Sequence, residues 1–296
     1  MAKLGLGSVQ FGLDYGISNQ SGQTSAAEVR QIIDLAASNG IEVVDTASLY
    51  GGSEEVLGAS IPAPCPFQIV TKTLTFGKER IGDGDCDAFK TGVEQSFLRL
   101  RQDRLYGLMA HNAGDLYAEG GQQLFDIMRG YRDMGVISKI GASVYDGGQI
   151  DTLLAQYGDD IDLVQLPLSI LDQRLLHSGH LSGLKKRGIE IHVRSAFLQG
   201  AALMAVDDLP GHLAGLKQTI IELESAAQER ETSRLALALS FLMRNDDIDA
   251  VVCGVNTAAQ LGELCSAVKA LPALSESEFS QFAVSDPMLV NPHNWG

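Results

Sequence analysis

Short apolar runs alternate with longer stretches of helical periodicity along the whole chain. The runs cover 4–12, 41–47, 67–72, 105–111, 137–143, 161–167, 189–196 and 248–255, eight in all. Most are continuous rather than alternating, the pattern of strands buried on both faces of a parallel sheet. Between them, 26–40 places Val29, Ile32, Ile33, Leu35 and Ala36 along one side and stops at Gly40, a helix C-cap signal. Similar patterns predict helices over 88–101, 123–135, 174–188, 232–245 (with Thr232 as N-cap) and 258–271. No Pro/Ser-rich linker or low-complexity tract interrupts the repeated units. The expected fold is therefore α/β, a (β/α)8 TIM barrel forming a single domain over residues 1–296. A doubly wound open sheet is the alternative.

A barrel carries its chemistry where strands end and helices begin. Asp45 follows the apolar IEVV of the second run, Lys72 closes the third, His111 the fourth and Ser143 the fifth, while Gln165 lies late in the sixth. Tyr50 follows Asp45 by five residues, in the loop after the second strand. A free tyrosine ionises near pKa ~10 and is a weak acid–base group at neutral pH. A neighbouring lysine cation is expected to lower that value, and a buried lysine needs a partner such as Asp45. His111 can orient a substrate oxygen through a hydrogen bond. Such a set delivers a proton to oxygen. No side chain donates hydride, so a nicotinamide or flavin is implied for redox chemistry.

At these residues the chain resembles the aldo-keto reductase superfamily. The segment DTASLYGGSEEVLG (45–58) fits that superfamily's DTAxxYGxSExxLG block. Support comes from VTK (70–72), His111, the GAS triplet (141–143), Gln165 and the stretch 238–263, so the resemblance runs from residue 4 to about 270. It implies that Tyr50 is the proton donor, tuned by Lys72 and Asp45, with His111 orienting the substrate. It further implies an NADPH or NADH cofactor, its carboxamide held by Ser143 and Gln165. Ser195, Leu198 and Gly200 would cover the pyrophosphate. Gly254, Asn256, Gln260 and Glu263 would hold the adenosine end, with the helix N-terminus near Thr257 facing phosphate. The substrate would be a small aldehyde, ketone or sugar-like carbonyl, or the matching alcohol. A barrel that binds the nucleotide as a regulatory sensor, with little turnover, is the rival reading. A barrel isomerase or lyase using the cofactor transiently is a third.

Two positions depart from the pattern. Arg194 stands where an aromatic residue often stacks on the nicotinamide. A planar guanidinium can stack in its place, or it can turn away and pair with an acid. If it stacks, it disfavours the cationic oxidised ring and raises the reduction potential of the cofactor, which is expected to bias the enzyme toward carbonyl reduction. Secondly, GVNTAAQLGEL (254–264) contains no cation, and Gln260 stands where an arginine commonly binds a 2′-phosphate. The missing charge-assisted bond is worth roughly 1.5–3 kcal/mol. The expectation is NADP with only a slight lean, NAD being open.

Composition narrows the partners. The formal net charge is −15, which repels nucleic acid and anionic membrane surfaces. No apolar run reaches the ~18 residues of a membrane helix. The start, MAKLGLGSVQFG, is broken by glycines and lacks the apolar core of a secretory signal. Cys65, Cys86, Cys253 and Cys265 form no CxxC pair, which fits a reducing, cytoplasmic compartment. No metal site is expected: 83–94 has acids at calcium-loop spacing but Ala88 where the loop needs glycine, so it reads as a polar turn with Asp87 capping a helix. His177 and His180 have no acid or third histidine to complete a ligand set. GLGSVQFG (5–12) lacks the third glycine of a dinucleotide-binding turn. Oligomeric state cannot be read from the sequence.

Overall fold

The computed structural model describes residues 1–295, with the side chains of Asp159, Glu276 and His293 outside that description. Eight parallel strands close on themselves in the order β1-β2-β3-β4-β5-β6-β7-β8. They are β1 (Lys3–Gly7), β2 (Val43–Asp45), β3 (Gln68–Lys72), β4 (Leu105–Ala110), β5 (Ile137–Ser143), β6 (Leu163–Pro167), β7 (Glu190–Arg194) and β8 (Ala250–Gly254). A helix follows each: α1 (Ala26–Ser38), α2 (Ser53–Ser60), α3 (Asp83–Leu100), α4 (Gln122–Asp133), α5 (Gly147–Tyr157), α6 (His180–Lys186), α7 (Arg234–Met243) and α8 (Ala258–Lys269). The open-sheet alternative is excluded, because β1 pairs with β8 over five residues.

The greater part of the core lies between the strands and the helix ring, where Ile32, Ile33, Leu57, Phe89 and Phe125 are almost fully buried. A smaller inner cluster of Val70, Met109 and Leu163, with Tyr106 packed against it, fills the barrel itself. Polar side chains also face the barrel interior. Gln165 and His192 are register partners on β6 and β7, so both side chains point to the same side. His192 is fully buried and its Nε2 lies 2.7 Å from Glu190 Oε1. Tyr106 donates to the other oxygen of Glu190 at 2.7 Å, and Lys139 pairs with it as well. Burial acts on that carboxyl first, but the bonds from His192, Lys139 and Tyr106 outweigh it and hold the group down to about 2.

Several boundaries differ from the sequence reading. The first strand stops at Gly7, and Val9–Gly12 forms a helical turn. Gly12 is required there, since a Cβ would lie 1.8 Å from the carbonyl oxygen of Tyr50. Helix α3 begins at Asp83 rather than near 88: Asp85 accepts from the Gly82 amide at 3.0 Å, and two acids in the first turn suit the helix dipole. Asp87 is therefore inside the helix and caps nothing. The 174–188 pattern is broken at Gly179, whose φ of 79° ends one short helix and starts α6. Ser233, not Thr232, caps α7 by accepting from Ala236 N. Helices α5 and Lys217–Glu229 were not predicted. Among the described residues, no helix is long and apolar enough to cross a membrane, and no group of histidine, cysteine or acidic side chains is placed to hold a metal ion.

Helix α2 packs so closely on the end of α3 that a Cβ on Gly58 would lie 2.1 Å from the Arg99 carbonyl oxygen. Backbone cannot give way as a side chain can, so Gly58→Ala should cost about 1–3 kcal/mol through overpacking. Gly262→Ala, in α8 with nothing within 4 Å of the added Cβ, should be neutral or stabilising. Thermal unfolding of the two variants checks this; equal melting temperatures would refute the close α2–α3 contact.

Candidate active site

The mouth at the C-terminal end of the barrel holds a cleft of about 600 Å³. At its floor, Lys72 Nζ lies 2.7 and 2.6 Å from the two Asp45 carboxylate oxygens and 3.0 Å from the Thr46 carbonyl. Lys72 is 1% and Asp45 4% exposed, so this is a fully internal ion pair. Gln165, also buried, donates its side-chain amide to Asp45 Oδ1 at 2.7 Å. Tyr50 leans over the ammonium, with Nζ 5.1 Å from its ring centroid. His111 meets Tyr50 edge-on at 5.6 Å between centroids.

The loop that carries Tyr50 is fixed residue by residue. Gly51 adopts φ 54°, and a Cβ there would strike the Gly12 carbonyl oxygen at 2.4 Å. Ser53 donates to the Ser8 carbonyl at 2.8 Å and lies 3.2 Å from Thr46 Oγ1. Glu54 is buried, accepting from Thr71 Oγ1 at 2.6 Å and from Arg99 Nε at 2.8 Å, while Glu55 is exposed. Glu54 thus ties α2 to β3 and α3.

These contacts set the protonation states. Burial pulls the Lys72 ammonium down, but Asp45 and Tyr50 outweigh it and hold the group above the ordinary lysine range. For Tyr50 the balance runs against the sequence expectation. Burial raises the phenol most, Lys72 lowers it and Asp45 raises it again, for a net upward shift. Tyr50 is therefore a neutral phenol across the physiological range, a proton to give rather than a base. Burial, with the charges of Lys72 and Arg194, drives His111 down to about 4 against the pull of Asp45. Its Nδ1 is buried with no partner.

The remaining sequence-predicted residues lie around the same cleft with one exception. Ser143, Gln165, Arg194, Ser195, Gly200, Gly254, Asn256, Gln260 and Glu263 line it. Leu198 does not: its side chain is fully buried in the core beneath the loop. That loop is unusual. Ser195, Leu198 and Gln199 all have positive φ, ahead of Gly200 at 99°. Left-handed non-glycine residues cost on the order of 1–3 kcal/mol each and concentrate at binding sites. No side-chain pattern announces such a conformation. Sequence reasoning also missed Gln10, Tyr15, Tyr145 and Gln199, all cleft-lining residues on loops after strands. Trp295 lies elsewhere, beside His212 with Nε1 donating to the Met288 carbonyl.

A dinucleotide fits this groove on two observations. Gln10 Oε1 is buried without a partner, beside Gly254, where a Cβ would approach it to 2.5 Å. Across the groove, Gly200 leaves room that a Cβ would deny to Ser18. Asn256 N is bonded to Gln260 Oε1 at 2.7 Å and Ala258 N to Glu28 Oε1 at 2.7 Å. The amides opening α8 are thus already engaged, one of them by a carboxylate.

A profile described as the Aldo/keto reductase family matches residues 3–285. The chain belongs to the aldo/keto reductase family. With membership comes NAD(P)-dependent oxidoreductase chemistry on small-molecule carbonyls. Among solved structures, the holo form of the aldo-keto reductase AKR11C1 from Bacillus halodurans is 21% identical, with a TM-score of 0.77 over 99% of this chain and 95% of that one. An aldo/keto reductase from Klebsiella pneumoniae, in complex with NADP and acetate, is 19% identical, with a TM-score of 0.70 over 98% and 91%. These likenesses show the shared barrel. No curated protein matches the chain. In this aldo/keto reductase the strand-end residues Asp45, Lys72 and His111 meet Tyr50 at one point, as the motif spacing requires.

The depressed His111 imidazole gives a direct check. In the protein alone, its ring signals followed by NMR should titrate at about 4, well below the free-imidazole value of ~6.5. A midpoint above 6 would refute the buried, cation-flanked placement.

Proposed function

We propose that this protein interconverts a small aldehyde or ketone and its alcohol, with Tyr50 as the proton donor to the carbonyl oxygen. The single observation that carries the reading is the buried Lys72–Asp45 pair directly beneath a protonated Tyr50. A bound nicotinamide supplies the hydride to the carbonyl carbon. The Tyr50 proton, delivered to the carbonyl oxygen, completes the alcohol. Lys72 stabilises the phenolate left behind, and solvent restores its proton. His111, neutral at physiological pH, orients the carbonyl oxygen by hydrogen bonding rather than by charge. The cleft lies within the ~300–1,000 Å³ range of small-ligand sites.

Ser143 would hold the carboxamide, with Gln165 doing so only through the part of its amide not spent on Asp45. Ser195 and Gly200 would cover the pyrophosphate. Gly254, Asn256, Gln260 and Glu263 would hold the adenosine end. Among the described residues lining the cleft, the lysines and arginines are Lys72 and Arg194. Both belong to the reacting end, so a 2′-phosphate gains no cation. A cation at Arg194 acts on the cofactor in the direction opposite to the bias expected from the sequence. A cation that disfavours the oxidised ring raises the potential and makes the reduced coenzyme a weaker hydride donor, so its effect opposes carbonyl reduction.

Turnover of small aldehydes and sugars, followed by absorbance of the reduced coenzyme, tests the proposal. Tyr50→Phe should lower kcat by about 10²–10⁴-fold, the range of general acid catalysis, while coenzyme affinity is retained. Tight coenzyme binding with no turnover of any carbonyl would replace the enzyme reading with a sensor. Fluorescence titrations should also show NADPH binding less than about tenfold tighter than NADH, a difference of ~1.4 kcal/mol. A preference above about 100-fold for NADPH would contradict the cation-free adenosine end.

A further inference from the structure

Among the described residues, the other half-buried arginines have carboxylate partners: Arg99 with Glu54, Arg129 with Asp126 and Asp160, Arg132 with Asp160 and Asp162, Arg174 with Asp172, Arg230 with Glu278, Arg234 with Glu224. Arg194 breaks the pattern. It too is half-buried, at the end of β7 and facing the cleft, yet among the described residues no carboxylate lies within ion-pair distance of it. Its guanidinium stacks on the Tyr145 ring at 4.5 Å, donates to the Val144 carbonyl at 3.0 Å and lies 3.4 Å from Ser195 Oγ. Those two acceptors take two of its five N–H donors.

The acids that line the cleft do not answer this cation. Asp45 is committed to Lys72 and Gln165. Glu263 sits on α8 and makes no ion pair with Arg194. The other groups around Arg194 are phenols, Tyr15, Tyr50 and Tyr145, and the imidazole of His111, neutral at physiological pH. A guanidinium withdrawn from water is costly without an opposing charge. Stacking on Tyr145 holds the planar group in one orientation, which leaves less freedom to lose when a ligand binds.

We propose that Arg194 receives an anionic group, a carboxylate or a phosphate, on the carbonyl substrate of this site. This rests on the carbonyl-reduction reading above. It narrows the substrate to an oxo acid, an acidic sugar derivative or a phosphorylated aldehyde, with the anion close to the reacting carbonyl. The anion accepts the free N–H donors of Arg194 while the carbonyl oxygen lies at Tyr50 and His111. Tyr15 and Gln199 line the same cleft. The redox step is unchanged: one hydride at carbon and one proton at oxygen.

Matched pairs test it: pyruvate against hydroxyacetone for the carboxylate, glyceraldehyde 3-phosphate against glyceraldehyde for the phosphate. In the wild-type enzyme at least one anionic member should exceed its neutral partner in kcat/KM by tenfold or more. In Arg194→Leu that ratio should fall by about 10–100-fold, the value of a hydrogen bond to a charged group. Arg194→Lys should restore part of it. Calorimetric titration with oxamate and with inorganic phosphate gives a second readout that needs no turnover. The favoured anion should bind wild type, and bind Arg194→Leu about 10–100-fold more weakly. Equal ratios in wild type and Arg194→Leu, or anion binding indifferent to the substitution, would overturn the proposal. If no carbonyl is turned over at all, the reduction reading fails instead, and the calorimetric comparison still decides whether Arg194 is an anion anchor.

Discussion

The Lys72–Asp45 pair is the constraint on which the mouth of this barrel depends. An ammonium so buried would lose its proton if it stood alone, because desolvation penalises the charged form. Asp45 prevents that, and the Thr46 carbonyl occupies a further ammonium hydrogen. Asp45 in turn has Gln165 on the same oxygen that Lys72 contacts. Such a pair adds little to stability, since its desolvation cost offsets much of the attraction. Its value is positional. It fixes a charge at one point in a dry site, where burial sets the direction of both neighbours' ionisation and the charge acts on them second. Tyr50 gains a cation ready to stabilise its phenolate. His111 is kept neutral, so it does not compete as a proton source.

Delivering Tyr50 to that charge explains why the segment 45–58 is so closely specified. The tyrosine needs a sharp turn after β2, which Gly51 permits with its left-handed backbone. The turn must pack on the opening of the chain, where Gly12 leaves room for the Tyr50 carbonyl. Ser53 then anchors the turn to Ser8 and Thr46, and Glu54 anchors α2 to Thr71 and Arg99. Gly58 lets α2 approach α3 closely. Much of what reads as a catalytic motif is therefore a set of packing and hydrogen-bonding requirements that aim one phenol.

The strands were legible because burial on both faces leaves continuous apolar runs, and the strand-end residues were legible because the barrel's geometry says where to look. Helices governed by glycine were less so. Two glycines open α5, which hid it, although Asp146 caps it by accepting from Gln149 N. Gly179 splits a pattern that otherwise reads as one helix. The loop from Ser195 to Gly200 left no trace, since left-handed conformations at serine, leucine and glutamine are imposed by surrounding structure rather than by local preference. The same holds for direction of ionisation. The Lys72 effect on Tyr50 was foreseeable, but burial proved the larger influence, and burial is a property of the assembled site.

Charge is distributed on two scales in this molecule, and they oppose each other. The whole chain carries −15, an excess that repels anions at distance. The reacting end of the cleft carries two cations, of which Asp45 neutralises only one. Screening decides which scale governs. Charges on the surface are damped beyond a Debye length of about 8 Å at physiological ionic strength, whereas groups inside a low-dielectric cleft are screened far less. An anion that reaches the mouth is therefore subject mainly to Lys72 and Arg194, not to the acidic exterior. The acidic surface slows approach without weakening the bound state, and the two properties can be selected independently. This separation is what makes a guanidinium at the end of β7, with no carboxylate partner among the described residues, chemically meaningful rather than a stray charge.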